Sequence, residues 1–276
     1  MASKSALAYL KIMRPLNGIM SVVAVLIGAL IAGAPLELRT GLLLGFVSVF
    51  LISGGGMAIN DFFDAEIDKL NRPDRPIPSG KMSRHVAVAY SAVLFALGIA
   101  ASFFIGYNAL IVAAISSALL IAYAAQLKKT ILIGNLVISG LVALTFVYGG
   151  IIFNNYAPVL PLALLAFLSN TAREIYKTID DALGDQKYNV NSLAIKLGVT
   201  NARIIANIFL IVAVIFSFVP YFLGLLGVPY LFFVIIADIV FLAAVAAPVA
   251  YGSKLIKVAM LVALIAFFVG AYAVGV

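Results

Sequence analysis

The sequence predicts an all-α membrane protein with about nine transmembrane helices, and three observations carry that prediction. Of its 276 residues, 64% are hydrophobic and only 11% are charged. Soluble domains run near ~45–50% apolar and ~25% charged. Apolar runs of about 20 residues, the length a helix needs to cross a bilayer, recur along the whole chain. When successive runs alternate in direction, all but one of the 18 Lys and Arg residues fall on the same side.

The runs are taken in order. The first, 16–34, follows a short basic N-terminus, lacks a small-residue cleavage site and is long enough to span. It therefore reads as a first helix and not as a cleaved signal. The second, 41–60, closes in an acidic cluster, and the polar connection 61–85 follows. Then come 86–105, 110–127, 131–153 and 160–179, the last closing in a second acidic cluster. The polar connection 180–203 leads to 204–223, 229–250 and 255–274. Both connections begin with helix-compatible acids and continue in Gly, Pro and Asn chemistry typical of loops. No separate soluble domain interrupts this pattern, so 1–276 reads as one polytopic domain.

Only Arg39 falls on the opposite side from the other basic residues. Under the positive-inside rule this puts the N-terminus in the cytoplasm and the C-terminus outside. The net charge of +7 then reflects basic cytoplasmic loops, and no nucleic-acid partner is expected. The chain has no cysteine, which excludes disulfides and thiolate metal sites.

Nine of the 11 acids lie in or beside the two clusters, all but Glu37 and Asp238. In the first, Asn60, Asp64 and Asp68 stand at i, i+4 and i+8, one face of a helix. In the second, Asp181 and Asp185 repeat the i, i+4 spacing. Carboxylates at a membrane edge are costly unless paired or functional. Hard oxygen ligands suit magnesium, which commonly joins one or two carboxylates to substrate phosphates. Each cluster also reads as a solvated helix end with local salt bridges, and spacing alone leaves both readings open. Arg72, Arg75, Lys81, Lys128 and Lys187 lie on the same membrane face. Arg forks and Lys point charges suit phosphate oxygens, although loop cations also satisfy topology and lipid headgroups. Acids and cations together suit ionisation of an allylic diphosphate, which needs no protein nucleophile. The glycines Gly54, Gly55 and Gly56 precede Asn60 by about a turn and suit close helix packing.

These residues resemble the UbiA superfamily of intramembrane prenyltransferases. Asn60, Asp61, Asp64 and Asp68 meet its N-D-x-x-D-x-x-x-D signature, and Asp181 and Asp185 meet its D-x-x-x-D signature. Asn71-Arg72-Pro73-Asp74-Arg75-Pro76-Ile77-Pro78-Ser79-Gly80 and Arg14-Pro15 extend the likeness. The resemblance implies nine helices around a central cavity and two magnesium ions on a prenyl diphosphate. It also implies an active site facing the cytoplasm within the cell membrane. Carried onto this chain, Asn60, Asp64, Asp68, Asp181 and Asp185 become metal or diphosphate ligands. Arg72, Arg75, Lys128, Lys187 and Tyr123 become diphosphate contacts, with Tyr123 five residues before Lys128 where the family often has four. Relatives often carry an Asp where Thr178 stands here.

Within the family, Met13-Arg14-Pro15-Leu16-Asn17 and Arg173-Glu174-Ile175-Tyr176-Lys177 are similar to members acting on archaeal ether lipids. Those members move a geranylgeranyl group onto the hydroxyl of geranylgeranylglyceryl phosphate. That acceptor is lipid-like and carries its own phosphate, for which Arg14, Asn17, Lys81, Arg173 and Lys177 are the candidate contacts, the alternative for Arg173 and Lys177 being pairing with Glu174 and Asp181. Two other readings stand beside it. One is an aromatic acceptor such as a quinone precursor. The other is a cation-coupled transporter, disfavoured because its ion sites usually lie at the midplane on interrupted helices.

Overall fold

The computed structural model describes residues 2–34, 39–184 and 193–275. Among them every regular element is helical. The helices are α1 (Ala2–Met13), α2 (Pro15–Ile31), α3 (Thr40–Phe63), α4 (Ala65–Asn71), α5 (Arg84–Phe103), α6 (Tyr107–Ala125) and α7 (Ile133–Ile152). They continue as α8 (Leu160–Gly184), α9 (Leu193–Leu197), α10 (Val199–Phe216), α11 (Val219–Phe222), α12 (Val228–Ala246) and α13 (Val249–Gly275).

Each of the nine predicted runs is mostly helical, with 204–223 divided between α10 and α11 and the end of 229–250 reaching into α13, but fewer than nine helices qualify as membrane spans. Among the described residues, seven segments are long and apolar enough to cross a membrane, with α10 and α11 counted as one. A bent pair, α1 from Ala6 and α2, makes up to eight. The helix that drops out is α8. Asn170, Arg173, Glu174, Lys177 and Asp180 interrupt its apolar sequence. A helix with little lipid contact does not need an apolar surface all round, and α8 is deeply buried: Leu162, Ala172, Ile175, Tyr176 and Ile179 are all fully enclosed.

The chain forms two compact units. The first comprises Met1–Leu26 and Glu37–Gln126. Here α3 is the hub, packing against α1, α5 and α6. The three consecutive glycines serve three contacts. A Cβ on Gly54 would meet Met13, one on Gly55 would meet Phe95, and one on Gly56 would meet Leu120. The packing role expected of them is what the structure shows. Buried polar links add direction: Ser91 donates to the Gly55 carbonyl at 2.8 Å, and Ser48 and Ser102 share a 2.7 Å hydrogen bond.

The second unit comprises Ile27–Leu36 and Leu127–Val276. Its hub is α8, which packs against α7, α10 and α13. Tyr176 is fully buried and donates to Asn207 at 2.7 Å. Arg203 donates to the carbonyls of Val245 and Ala247 at 2.8 and 2.7 Å, satisfying orphan acceptors at the end of α12. Asp238, the lone acid of α12, accepts from Ser217 at 2.8 Å. That contact explains how a carboxylate persists there.

Two glycines make a paired test. A Cβ on Gly28 would lie 1.9 Å from the Phe146 carbonyl oxygen, whereas one on Gly140 meets nothing within 4 Å. Gly28→Ala is expected to cost at least about 1–3 kcal/mol through overpacking. Gly140→Ala, at a helical site, is expected to be neutral or stabilising by under about 1 kcal/mol. Thermal melts of the two purified variants in one detergent check the contrast.

Candidate active site

The first acidic cluster forms at the C-terminal end of α3. Residue Asp64, with φ −87° and ψ 1°, separates α3 from α4. The hydrogen-bond ladder nevertheless runs through the break. The Asp64 N–H donates to Asn60 at 2.9 Å, Asp68 to Asp64 at 2.8 Å, and Arg72 to Asp68 at 2.9 Å. The i, i+4, i+8 register therefore survives a change of helix. The Asn60 side-chain amide donates to Asp64 Oδ2 at 2.8 Å.

Asp61 points elsewhere, and its spacing in the sequence assigned it no separate role. It is only 1% exposed. Its Oδ1 accepts from Arg14 Nη2 and also from Arg75 Nη1, the latter at 3.2 Å. Arg75 Nη1 donates as well to Asp68, itself buried. Two arginines from segments 61 residues apart in sequence thus converge on one buried oxygen (75 − 14). The available sequence signal was an acid in the last turn of an apolar span, where an unpaired carboxylate is costly. Its partners were not readable from local spacing.

The loop after α4 is closed by its own backbone. Ser79 N–H donates to Arg75 at 3.0 Å and Met82 N–H donates to Pro76 at 3.0 Å, while Gly80 takes a φ of +71°. Met82 is buried beside Ile12, Met13 and Ala58. Lys11 of α1 grips the loop through the Asp74 carbonyl at 2.8 Å and its carboxylate at 3.0 Å. That hydrogen bond, and then the Lys11 charge, holds the Asp74 carboxyl below its ordinary range. A hydrogen bond from Lys69 does the same for exposed Glu66. Arg72 and Lys81 are exposed on this loop, Asn17 is exposed on α2, and Tyr123 is half-buried on α6.

In the second unit, Lys128 is half-buried in a single 3-10 turn, Leu127–Lys129. Thr130 donates to Leu127 and accepts from the Gly134 N–H at 3.0 Å, tightening that turn. On α8, Glu174 is buried and accepts from Arg173 at 2.9 Å and Lys177 at 3.4 Å. The pairing of these two cations with Glu174 was the alternative to their meeting a ligand. Asp181 belongs to the backbone of α8; its side chain, and Asp185 and Lys187 entirely, lie outside the described residues.

The donor set on the first cluster suits a hard cation. Among the described residues no three His, Cys, Asp or Glu side chains gather as a closed metal cage. An amide oxygen beside a carboxylate, with a second carboxylate one turn on, is instead the sparse set magnesium takes when substrate phosphates complete its shell.

The sequence matches the UbiA prenyltransferase family over residues 21–271. It is 40% identical over 270 residues to the digeranylgeranylglyceryl phosphate synthase of Methanothermobacter thermautotrophicus, covering 95% of each chain. It is 42% identical over 287 residues to the synthase of that name from Methanosarcina barkeri, covering 97% of this chain and 99% of the relative. A solved structure concerning digeranylgeranylglyceryl phosphate synthase superposes with a TM-score of 0.83 at 39% identity, covering 98% and 99% of the two chains. A UbiA homolog from Archaeoglobus fulgidus bound to GPP and Mg2+ shares the fold, with a TM-score of 0.73 at 16% identity over 97% and 99%.

Burial separates Asp61, which pairs with Arg14, from Asp74, which pairs with Lys11. Removing one member of a buried pair leaves the others uncompensated, typically at about 3–5 kcal/mol. Asp61→Ala is accordingly expected to lower the melting temperature sharply. Asp74→Asn, which loses only an exposed pair with Lys11, is expected to melt within experimental scatter of the wild type.

Proposed function

Because the chain belongs to the UbiA prenyltransferase family, we propose that it transfers a geranylgeranyl group from geranylgeranyl diphosphate to the hydroxyl of geranylgeranylglyceryl phosphate. The product carries the second ether bond of archaeal membrane lipids. The observation that carries this acceptor is the near-full-length likeness, at 40% and 42% identity, to synthases named for that product.

Asn60, Asp64 and Asp68, with Asp181 and Asp185, are the proposed ligands for magnesium, two ions in all. The Mg2+ held by the A. fulgidus homolog supports the choice of metal. Bound magnesium supplies positive charge that offsets the diphosphate as it leaves. Arg72, Arg75, Lys128 and Lys187 hold diphosphate oxygens, and Tyr123 lies among the donor contacts. The bond between the allylic carbon and its diphosphate oxygen breaks, and the electron pair leaves with diphosphate. The acceptor hydroxyl oxygen then bonds to that carbon and gives up its proton. The chain needs no covalent nucleophile for this. It contains no cysteine, and its single histidine, His85, is exposed in the first turn of α5.

The acceptor phosphate is assigned to Arg14, Asn17, Lys81, Arg173 and Lys177. Glu174 keeps the last two side chains together. The N-terminus is placed in the cytoplasm, the C-terminus outside, and the active site on the cytoplasmic face. Counting α8 as a crossing keeps all basic residues but Arg39 on that face.

Purified protein offered radiolabelled geranylgeranyl diphosphate and magnesium is expected to label geranylgeranylglyceryl phosphate and not 4-hydroxybenzoate. Product with only the aromatic acceptor would sink the lipid assignment. Asp64→Ala and Asp181→Ala are each expected to lower kcat by at least about 100-fold in folded protein. Near-wild-type turnover in both would refute the ligand assignment.

A further inference from the structure

Asp61 has no part in the reaction outlined above, yet it is the most enclosed charged group among the described residues of the first unit, its side chain 2% exposed. We propose that Asp61 is a positioning residue that holds Arg14 and Arg75 as one cationic clamp for the phosphate groups of the two substrates. This rests on the assignment of Arg14 to the acceptor phosphate and Arg75 to the donor diphosphate.

The first support is geometric. Arg14 and Arg75 donate to the same atom, Asp61 Oδ1. Asp68 is bonded to Arg75, so Asp61 is the carboxylate the two arginines share. Two guanidinium groups this close repel each other, and a carboxylate between them removes most of that repulsion. The pair is thereby held ready where phosphate charge arrives, and an Arg fork is suited to that charge.

Backbone strain is the second support. Arg14 has a φ of +49°, the left-handed region, and it immediately precedes Pro15. That conformation costs an L-residue about 1–2 kcal/mol and persists where surrounding contacts over-determine it. It sits where α1 and α2 meet at 49°. The bend turns the Arg14 side chain onto Asp61 and Met57, with Nη1 3.3 Å from the Met57 sulfur.

Burial supplies the third. Magnesium dehydrates reluctantly and keeps several waters, which a carboxylate with a 2% exposed side chain does not accommodate. Asn60 and Asp64 are both less enclosed, whereas Asp68, its side chain 7% exposed, shares Arg75 with Asp61, so burial separates Asp61 from Asn60 and Asp64. The signature's second position is therefore separated from those two metal-facing positions: Asp61 acts on arginines.

The test uses full-length enzyme in detergent, with KM for each substrate, kcat, the magnesium concentration for half-activation, and a melt for every variant. Arg14→Gln is expected to raise the acceptor KM and Arg75→Gln the donor KM. Asp61→Asn is expected to raise both by about 10-fold or more, the scale of lost supporting contacts. Its magnesium half-activation is expected to stay within about twofold of wild type, whereas Asp64→Asn shifts it. The double variant Arg14→Gln, Asp61→Asn is expected to have an acceptor KM no worse than Asp61→Asn alone, because the two act as a unit. An Asp61→Asn shift in magnesium half-activation as large as that of Asp64→Asn would make Asp61 a ligand and overturn the proposal. A lowered melt with both KM values unchanged would make Asp61 purely structural and overturn it equally. If Arg14→Gln and Arg75→Gln move neither KM, the substrate assignments fall and the clamp falls with them. If those variants act and Asp61→Asn does not, only the clamp falls. Should Asp61→Asn not fold, Asp61→Glu decides: its longer arm displaces both guanidinium groups, so both KM values rise, and unchanged values refute the idea.

Discussion

The first unit depends on one buried oxygen atom. Asp61 lies in the last turn of an apolar helix, where an unpaired carboxylate is strongly disfavoured. Its two guanidinium partners come from the α1–α2 junction and from the loop after α4. Satisfying that one atom therefore ties three separate segments together and sets a bend in the chain. The other contacts follow the same arrangement. Lys11 reaches Asp74, Met82 enters the apolar cluster with Met13, and the glycines of α3 let α1, α5 and α6 approach. A buried ion network is a poor source of net stability but a strict one in geometry, since any broken pair leaves a charge without compensation.

The second unit solves a related problem differently. α8 brings Arg173, Glu174 and Lys177 into a helix whose apolar residues are mostly enclosed. Here the acid is the buried member and the cations surround it. Both units thus hold arginine or lysine side chains through a sequestered carboxylate at the end of an apolar segment. For the two phosphorylated lipids proposed as substrates, that device keeps cations in place without a large solvated domain.

What the sequence revealed and what it concealed divide along physical lines. Helix positions were legible because hydrophobic runs of span length have few alternatives in a membrane. α8 was legible as a helix too, from the run 160–179, but its polar residues keep it from qualifying as an apolar span, and burial compensates in a way only tertiary structure displays. The Asn60, Asp64, Asp68 register was legible because i, i+4 spacing is local, and it survived even a break at Asp64. The roles of Asp61 and Asp74 were not legible, because Arg14 lies 47 residues from Asp61, Lys11 lies 63 from Asp74, and even Arg75, 14 from Asp61, meets it only through the fold of the loop. The pairing of Arg173 and Lys177 with Glu174 was readable as an alternative, again because the spacing is short.

The proposed division of labour within Asn60–Asp68 gives Asn60 and Asp64 to the metal and Asp61 to the two arginines, with Asp68, a proposed ligand also bonded to Arg75, between them. Anomalous scattering from manganese would locate the ions directly, in crystals grown in lipid with a non-hydrolysable prenyl diphosphate analogue. Manganese is expected against Asn60 and Asp64, with Arg14 and Arg75 still bonded to Asp61. Manganese on Asp61, with Arg14 displaced, would contradict that division.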